Sequence, residues 1–267
     1  MQRGPSVSLS WALAGAVPLA FVLPLYAAPR GRRDAAATVW WRIAVSSFTA
    51  CCLTAAAHWL QPAPRASVHR WVGVRASARG IAQALALSCA VYAGNIAQAA
   101  SGALPRQQGQ AALHITMRNL VASPLIEELV FRAVICQILL PAGVAPANVA
   151  LCSPLLFSAA HLHHMLWQVV AESAPLRQAA ARQAFQLLYT CLFGAMACAL
   201  YTSSGSIWGP CTLHLICNWQ GVPAASAAWR QRGRLWQLAA LWFVGGLCAA
   251  VGACRMLRTG ACQLVWC

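Results

Sequence analysis

Two neighbouring glutamates, Glu127 and Glu128, lie inside an otherwise apolar run, SPLIEELVFRAVICQILLP at 123–141. The whole chain has four acidic residues, so half of them are in this run. On a helix, Glu128 and Arg132 are four residues apart and share a face, whereas Glu127 points about 100° away. A lone charge at the centre of a membrane costs about 2.5–3.5 kcal/mol. Because Glu128 and Arg132 can neutralise each other, we expect Glu127 to be the carboxylate that is free to act as a base.

Two more apolar runs carry polar side chains at helical spacing. In FSAAHLHH at 157–164, His161 and His164 share one helical face, with Phe157 one turn before His161, whereas His163 is expected to point elsewhere. In HLICN at 214–218, His214 and Asn218 are four residues apart and project together. Ionisable groups within apolar spans are rare and usually functional, and these three motifs together favour a catalytic or binding site.

Several familiar hydrolytic sites do not fit this set of residues. Ser206 is the best candidate for a serine nucleophile, but no nucleophile-elbow pattern surrounds it. An intramembrane aspartyl enzyme needs two aspartates, and the chain has only Asp34. The HExxH signature of many zinc proteases is absent.

Two hydrolytic schemes remain open from the residues alone. In the first, Glu127, His161 and His214 bind a zinc ion. In the second, which needs no metal, Glu127 and His161 deprotonate a water molecule that attacks an amide carbonyl. His214 and Asn218 would then donate hydrogen bonds to the oxyanion.

The three motifs, EExxxR at 127–132, FxxxH at 157–161 and HxxxN at 214–218, resemble those of the type II CAAX prenyl endopeptidase family. That family lies within a wider group of bacterial CAAX proteases and bacteriocin-processing membrane proteins. The stretches 117–132, 185–210 and 214–223 look like its eukaryotic branch. The resemblance covers 117–223, which we expect to be the catalytic core of a single integral membrane domain at 1–267.

The resemblance implies a multi-pass protease of the endoplasmic reticulum membrane with eight helices and no metal or other cofactor. Its substrates would be prenylated CAAX proteins, from which it removes the three residues after a farnesylated or geranylgeranylated cysteine. By resemblance, the first motif glutamate and the FxxxH histidine activate water, the second glutamate pairs with the motif arginine, and the last histidine and asparagine form an oxyanion hole. In this sequence the expected catalytic residues are Glu127, His161, His214 and Asn218, and the supporting ones are Glu128, Arg132 and His164.

The composition independently predicts an all-α, polytopic membrane protein, and the position of the three motifs in apolar runs predicts an intramembrane catalytic cavity. The chain has 267 residues, of which 60% are hydrophobic and 9% charged, and its mean hydropathy is +0.60. Runs long enough to cross a bilayer predict about eight spans. They lie near 7–28, 38–60, 80–100, 120–140, 145–166, 184–201, 209–224 and 235–254.

The net charge of +15 comes from arginines that lie mostly between the apolar runs. This placement favours contacts with membrane lipid headgroups and argues against nucleic acid as a partner, since no nucleic-acid-binding motif accompanies the charge. A non-enzymatic membrane scaffold or carrier of the same family is the alternative function. A carrier would usually show internal repeats, and none is evident in the sequence.

Overall fold

The computed structural model describes residues 5–27, 33–60, 67–100 and 111–221. Every regular element in these ranges is a helix, so the all-α prediction is confirmed for the described part. The helices before the central motif are α1 (Val7–Val22, continued by a 3₁₀ turn at Leu23–Ala27), α2 (Ala36–Trp59), α3 (Val68–Val72), α4 (Ala78–Val91) and α5 (Ala93–Ala100). Those after it are α9 (Pro146–Ala160), α10 (His163–Val170), α11 (Leu176–Ser204) and α12 (Trp208–Gln220).

One continuous helical run carries the central motif between these two groups. It consists of α6 (Leu113–Met117), α7 (Ser123–Glu128) and α8 (Ile135–Leu139). Wider π-helical turns at Arg118–Ala122 and Leu129–Val134 join them. Such turns often occur at functional sites.

Four helical segments of the described part are long and apolar enough to cross a membrane: Val7–Ala27, Ala36–Trp59, Pro146–Val170 and Leu176–Ser204. They correspond to four of the predicted spans, and large apolar side chains such as Phe48 and Leu151 are exposed on them. The predicted span 80–100 is divided between α4 and α5, and α12 covers only about 20 Å at 1.5 Å per residue. The predicted span 235–254 lies outside the described residues. The count of about eight therefore stays a prediction.

The central run is the core around which the other helices pack. From Val130 to Leu139 every side chain is buried, and α1, α2, α11 and α12 all contact the run. Helices α9 and α11 form the most extensive helix contact in the described part of the chain. They approach closely at Gly194, where an added Cβ would lie only 3.0 Å from Pro154. α9 and α12 each contact both α11 and the central run, and this arrangement brings the three motif-bearing helices together.

The segment 67–77, which the sequence predicts to be part of a basic connection between spans, is instead partly buried. Trp71 has no exposed surface, and its carbonyl accepts a 2.7 Å hydrogen bond from Gln137 Nε2. Gly73 has φ +75°, and a Cβ there would lie 2.6 Å from the Gly205 carbonyl oxygen. Only glycine fits both the left-handed backbone and this close approach. The connection thus packs against the end of α11 and against the C-terminal part of the central run.

Candidate functional site

Glu128 is the centre of a buried charge network. Its Oε2 lies 2.9 Å from Arg132 Nε on the same helical face, and both side chains are fully buried. Its other oxygen, Oε1, is 2.7 Å from His214 Nδ1 on α12. The predicted Glu128–Arg132 pair is therefore present, and it also fixes a histidine from a different helix, which the spacing within one motif could not indicate.

Arg132 is held by aromatic rings as well as by Glu128. Its guanidinium carbon lies 4.5 Å from the centre of the Phe157 ring and 5.4 Å from that of Phe193. Stacking of this kind is favourable for a desolvated arginine. Phe157, the first residue of the FxxxH motif, thus connects the second motif to the first.

His214 connects both motif glutamates. A carboxylate only accepts hydrogen bonds, so Nδ1 of His214 donates to Glu128. Its Nε2 then faces Glu127, with 3.9 Å between Nε2 and Glu127 Oε2. When His214 carries both ring protons, its charge and that of Arg132 balance the two carboxylates, and Nε2 can donate to an oxyanion.

His161 is oriented as a proton acceptor. Helix α9 ends at Ala160, and His161 lies in the turn that follows. Its Nδ1 is 2.9 Å from the carbonyl of Phe157, which can only accept. The hydrogen is therefore on Nδ1, and Nε2 is left with a lone pair that can take a proton from water.

Asn218 is positioned by the π-helical turn before α7. The N–H of Ser123 bonds to the carbonyl of Arg118, and Pro124 has no N–H. The carbonyl of Asn119 therefore lacks its usual backbone donor, and Asn218 Nδ2 donates to it at 2.8 Å. The second N–H of the same amide group is not used by this bond.

Two cavities meet at the predicted catalytic residues. The larger, of about 460 Å³, is lined by Phe157, Phe185, Tyr189 and Phe193 together with His214 and Asn218. The smaller, of about 230 Å³, is lined by residues of α1, α2 and the central run and by His164. Ser123, Glu127 and His161 line both cavities. A water molecule between Glu127 and His161 would thus be reached from either side.

The structure also brings His163 to the smaller cavity, although helical spacing predicts that it points elsewhere. A turn at 161–162 interrupts the helix, so the spacing of a regular helix does not apply across it. The rings of His163 and His164 are 4.0 Å apart, and those of His161 and His164 are 5.7 Å apart. His164 therefore packs against His161.

Three residues that contribute to the candidate site could not be identified from the sequence motifs. Ser123 and Asn119 precede the first motif, and Phe193 lies in the middle of an apolar helix with nothing in its spacing to distinguish it. Only the π-helical turn and the packing of α11 bring them to the site. In the described ranges, no group of three or more His, Cys, Asp or Glu side chains is arranged to hold a metal ion.

Comparisons with known proteins agree with the motifs. Residues 109–220 match the model of a family described as type II CAAX prenyl endopeptidase Rce1-like. CAAX prenyl protease 2 of Homo sapiens is 42% identical over 113 residues, which are 42% of this chain and 34% of that protein. The Arabidopsis thaliana protein of the same name is 36% identical over 110 residues, 41% of this chain and 35% of that protein. CAAX prenyl protease 2 of Rattus norvegicus is 32% identical over 167 residues, 57% of this chain and 46% of that protein.

The aligned part of the chain spans about a third to just under half of the length of these relatives. No solved structure matches the fold closely. The matched region nevertheless contains all three motifs, from Glu127 to Asn218. Over residues 109–220, the chain is thus similar to the type II CAAX prenyl endopeptidases, as its motifs predict.

Proposed function

We propose that the protein is a membrane endopeptidase that removes the C-terminal tripeptide from prenylated CAAX proteins. The observation that carries the proposal is the meeting of Glu127 and His161 at the junction of two cavities, with His214 Nε2 3.9 Å from Glu127, inside the region that matches the family. The family and the names of the relatives support the reaction class, and the geometry supports the roles of individual residues.

In the proposed reaction, a water molecule lies between Glu127 and the free Nε2 of His161. These groups take a proton from the water, and its oxygen attacks the carbonyl carbon of the prenylated cysteine. The negative charge that develops on the carbonyl oxygen accepts hydrogen bonds from His214 Nε2 and Asn218 Nδ2. The C–N bond then breaks, and the stored proton is returned to the amine of the departing tripeptide. No metal or other cofactor takes part.

Glu128, Arg132 and His164 act as positioning residues in this scheme. Glu128 orients the imidazole of His214 through Nδ1, and Arg132 holds Glu128. His164 packs on the ring of His161 and limits its rotation. We assign this machinery to a catalytic core at 117–223 within one integral domain.

The larger cavity suits the prenylated cysteine. Its wall contains three phenylalanines and a tyrosine, which can pack against an isoprenoid of the farnesyl or geranylgeranyl type. The isoprenoid favours the membrane by about 0.8 kcal/mol per CH₂, so a substrate arrives already in the bilayer. We place the protein in the endoplasmic reticulum membrane with about eight spans, its cavity within the membrane and in contact with lipid.

The test is release of a tripeptide from a farnesylated CAAX peptide by the full chain in lipid nanodiscs. Glu127→Gln and His161→Ala should each lower kcat at least about a hundredfold, the effect expected when a general base is lost. Glu172→Gln and His69→Ala, which change exposed residues outside both cavities, should retain activity. An unprenylated peptide should be cut poorly. Wild-type activity in either site variant would refute the mechanism.

Two outcomes would favour the alternatives. Loss of activity on treatment with a chelator, restored by zinc, would indicate the zinc-dependent version of the site. Failure to cut any prenylated peptide, with Glu127→Gln harmless in cells, would indicate a non-enzymatic scaffold or carrier.

A further inference from the structure

The smaller cavity differs from the larger one in its charge. Arg33, Arg42 and Arg118 line it, and no arginine lines the larger cavity among the described residues. His163 and His164 add two further hydrogen-bonding rings to the same wall. Glu127 and His161 line the same cavity as these arginines.

Only part of this positive charge is balanced by the protein. Arg118 donates to Asp34 at 2.8 Å, and this hydrogen bond holds the pKa of Asp34 below its ordinary value. Asp34 therefore stays ionised near neutral pH and neutralises one of the three guanidinium groups. Arg42 has a buried Nε atom with no hydrogen-bond partner among the described residues. Arg42 is half-buried, and its guanidinium carbon lies 5.8 Å from the centre of the Trp167 ring. A partly desolvated guanidinium that lacks a carboxylate partner favours an anionic ligand.

The two cavities also differ in their relation to the oxyanion donors. His214 and Asn218 line only the larger cavity, and the oxyanion forms on the carbonyl of the prenylated cysteine. The cysteine must therefore lie on that side, and the three residues after the scissile bond must extend into the smaller cavity. An extended tripeptide spans about 10 Å and ends in a carboxylate. Arginine binds carboxylates strongly through two parallel N–H donors.

We propose that Arg42, with Arg33 and Arg118, binds the free C-terminal carboxylate of the substrate and so sets the length of the released peptide at three residues. The proposal rests on the proposed function. The anion bound at these arginines is a carboxylate of the substrate. The phosphate of an anionic lipid headgroup binds arginine in the same way, and the experiment distinguishes the two anions.

The experiment compares two farnesylated CAAX peptides that differ only at the C-terminus, one a free carboxylate and one a carboxamide. The full chain in phosphatidylcholine nanodiscs should cut the amide with a KM about tenfold to a hundredfold higher, the effect of one charge-assisted hydrogen bond. Arg42→Gln should raise KM for the carboxylate peptide to the value for the amide and leave the amide unchanged. Arg42→Lys should recover part of the difference. Arg70→Gln, at an exposed arginine outside both cavities, should behave as the wild type.

The outcomes separate this inference from the proposed function. Equal KM values for both peptides on the wild-type protein, or an equal loss on both in Arg42→Gln, would overturn carboxylate binding while leaving the protease activity intact. Activity that rises with added phosphatidylserine and loses this dependence in Arg42→Gln, with no discrimination between the peptides, would assign the arginines to a lipid phosphate and overturn the proposal. No cleavage of either peptide would refute the proposed function itself.

Discussion

The carboxylate of Glu128 shows that adjacent identical residues can have unrelated tasks. Glu127 faces two cavities, whereas Glu128 is completely buried between Arg132 and His214. A buried ion pair contributes little net stability, but removing one partner leaves an uncompensated charge. Glu128 therefore affects both the stability of the protein and the orientation of a proposed catalytic histidine.

Glu128→Gln should destabilise the protein by about 3–5 kcal/mol, because Arg132 would remain buried without a counter-charge. Thermal unfolding in detergent would measure the loss, with Glu172→Gln as the exposed control. A double variant, Glu128→Leu with Arg132→Met, removes both charges at similar volume and should recover most of the stability. The double variant should be inactive, since His214 loses the partner of its Nδ1. Full activity in the double variant would contradict the positioning role.

At the scale of the element, the π-helical turn before α7 contributes to the site through a backbone carbonyl and not through a side chain. It leaves the carbonyl of Asn119 to accept from Asn218. Pro124 contributes because it removes the N–H that a wider turn would direct to that carbonyl. A single proline thus affects a proposed oxyanion donor located almost a hundred residues later in the chain.

Pro124→Ala supplies an N–H that can compete for the Asn119 or Leu120 carbonyl. We expect kcat to fall about tenfold through misplacement of Asn218, with little change in the unfolding temperature. Tripeptide release and thermal unfolding, measured on the same preparation, would separate the two effects. Pro146→Ala, at the first turn of α9 and away from both cavities, is the matched control. Equal effects of the two substitutions on kcat would contradict this role for Pro124.

The sequence predicts the local parts of the site and misses those made by packing. Helical spacing places Glu128 beside Arg132, and His214 one turn from Asn218, because both relations lie within one helix. The bond from His214 to Glu128 crosses between helices, and the stack of Arg132 on Phe193 depends on α11. Helical spacing wrongly predicts that His163 points away from the site, because a turn and not a helix follows Ala160.

At the scale of the whole molecule, the sequence likewise predicts those membrane spans that depend on local hydropathy and not on packing. Hydropathy and length identify α1, α2, α9 with α10, and α11 as candidate spans, and these need no tertiary information. The short helix α12 and the divided helices α4 and α5 combine packed side chains such as Leu213 and Leu87 with exposed apolar ones such as Trp219. Hydropathy alone does not distinguish packing of this kind from contact with lipid.

The exposed apolar face of α2 should face lipid. Phe48 lies near the middle of Ala36–Trp59 and is 72% exposed, so Phe48→Arg should oppose insertion by about 2.5–3.5 kcal/mol. Val170, at the end of Pro146–Val170, is 80% exposed, but an arginine there can extend toward the interface. The yield of alkali-resistant membrane protein should therefore drop for Phe48→Arg and change little for Val170→Arg. Similar yields would place α2 away from lipid.

The position of Glu128 and Arg132 on a single helix has a consequence for biogenesis. A membrane helix enters the bilayer before its neighbours have docked, and at that stage a charge from another helix cannot compensate it. Glu128 and Arg132 meet within one turn, so the predicted span 120–140 would carry its own counter-charge during insertion. His214, which arrives later in synthesis, can then join a pair that is already formed. The order of the motifs along the chain would thus also be an order of assembly, with the neutral pair first and the reactive groups completed around it.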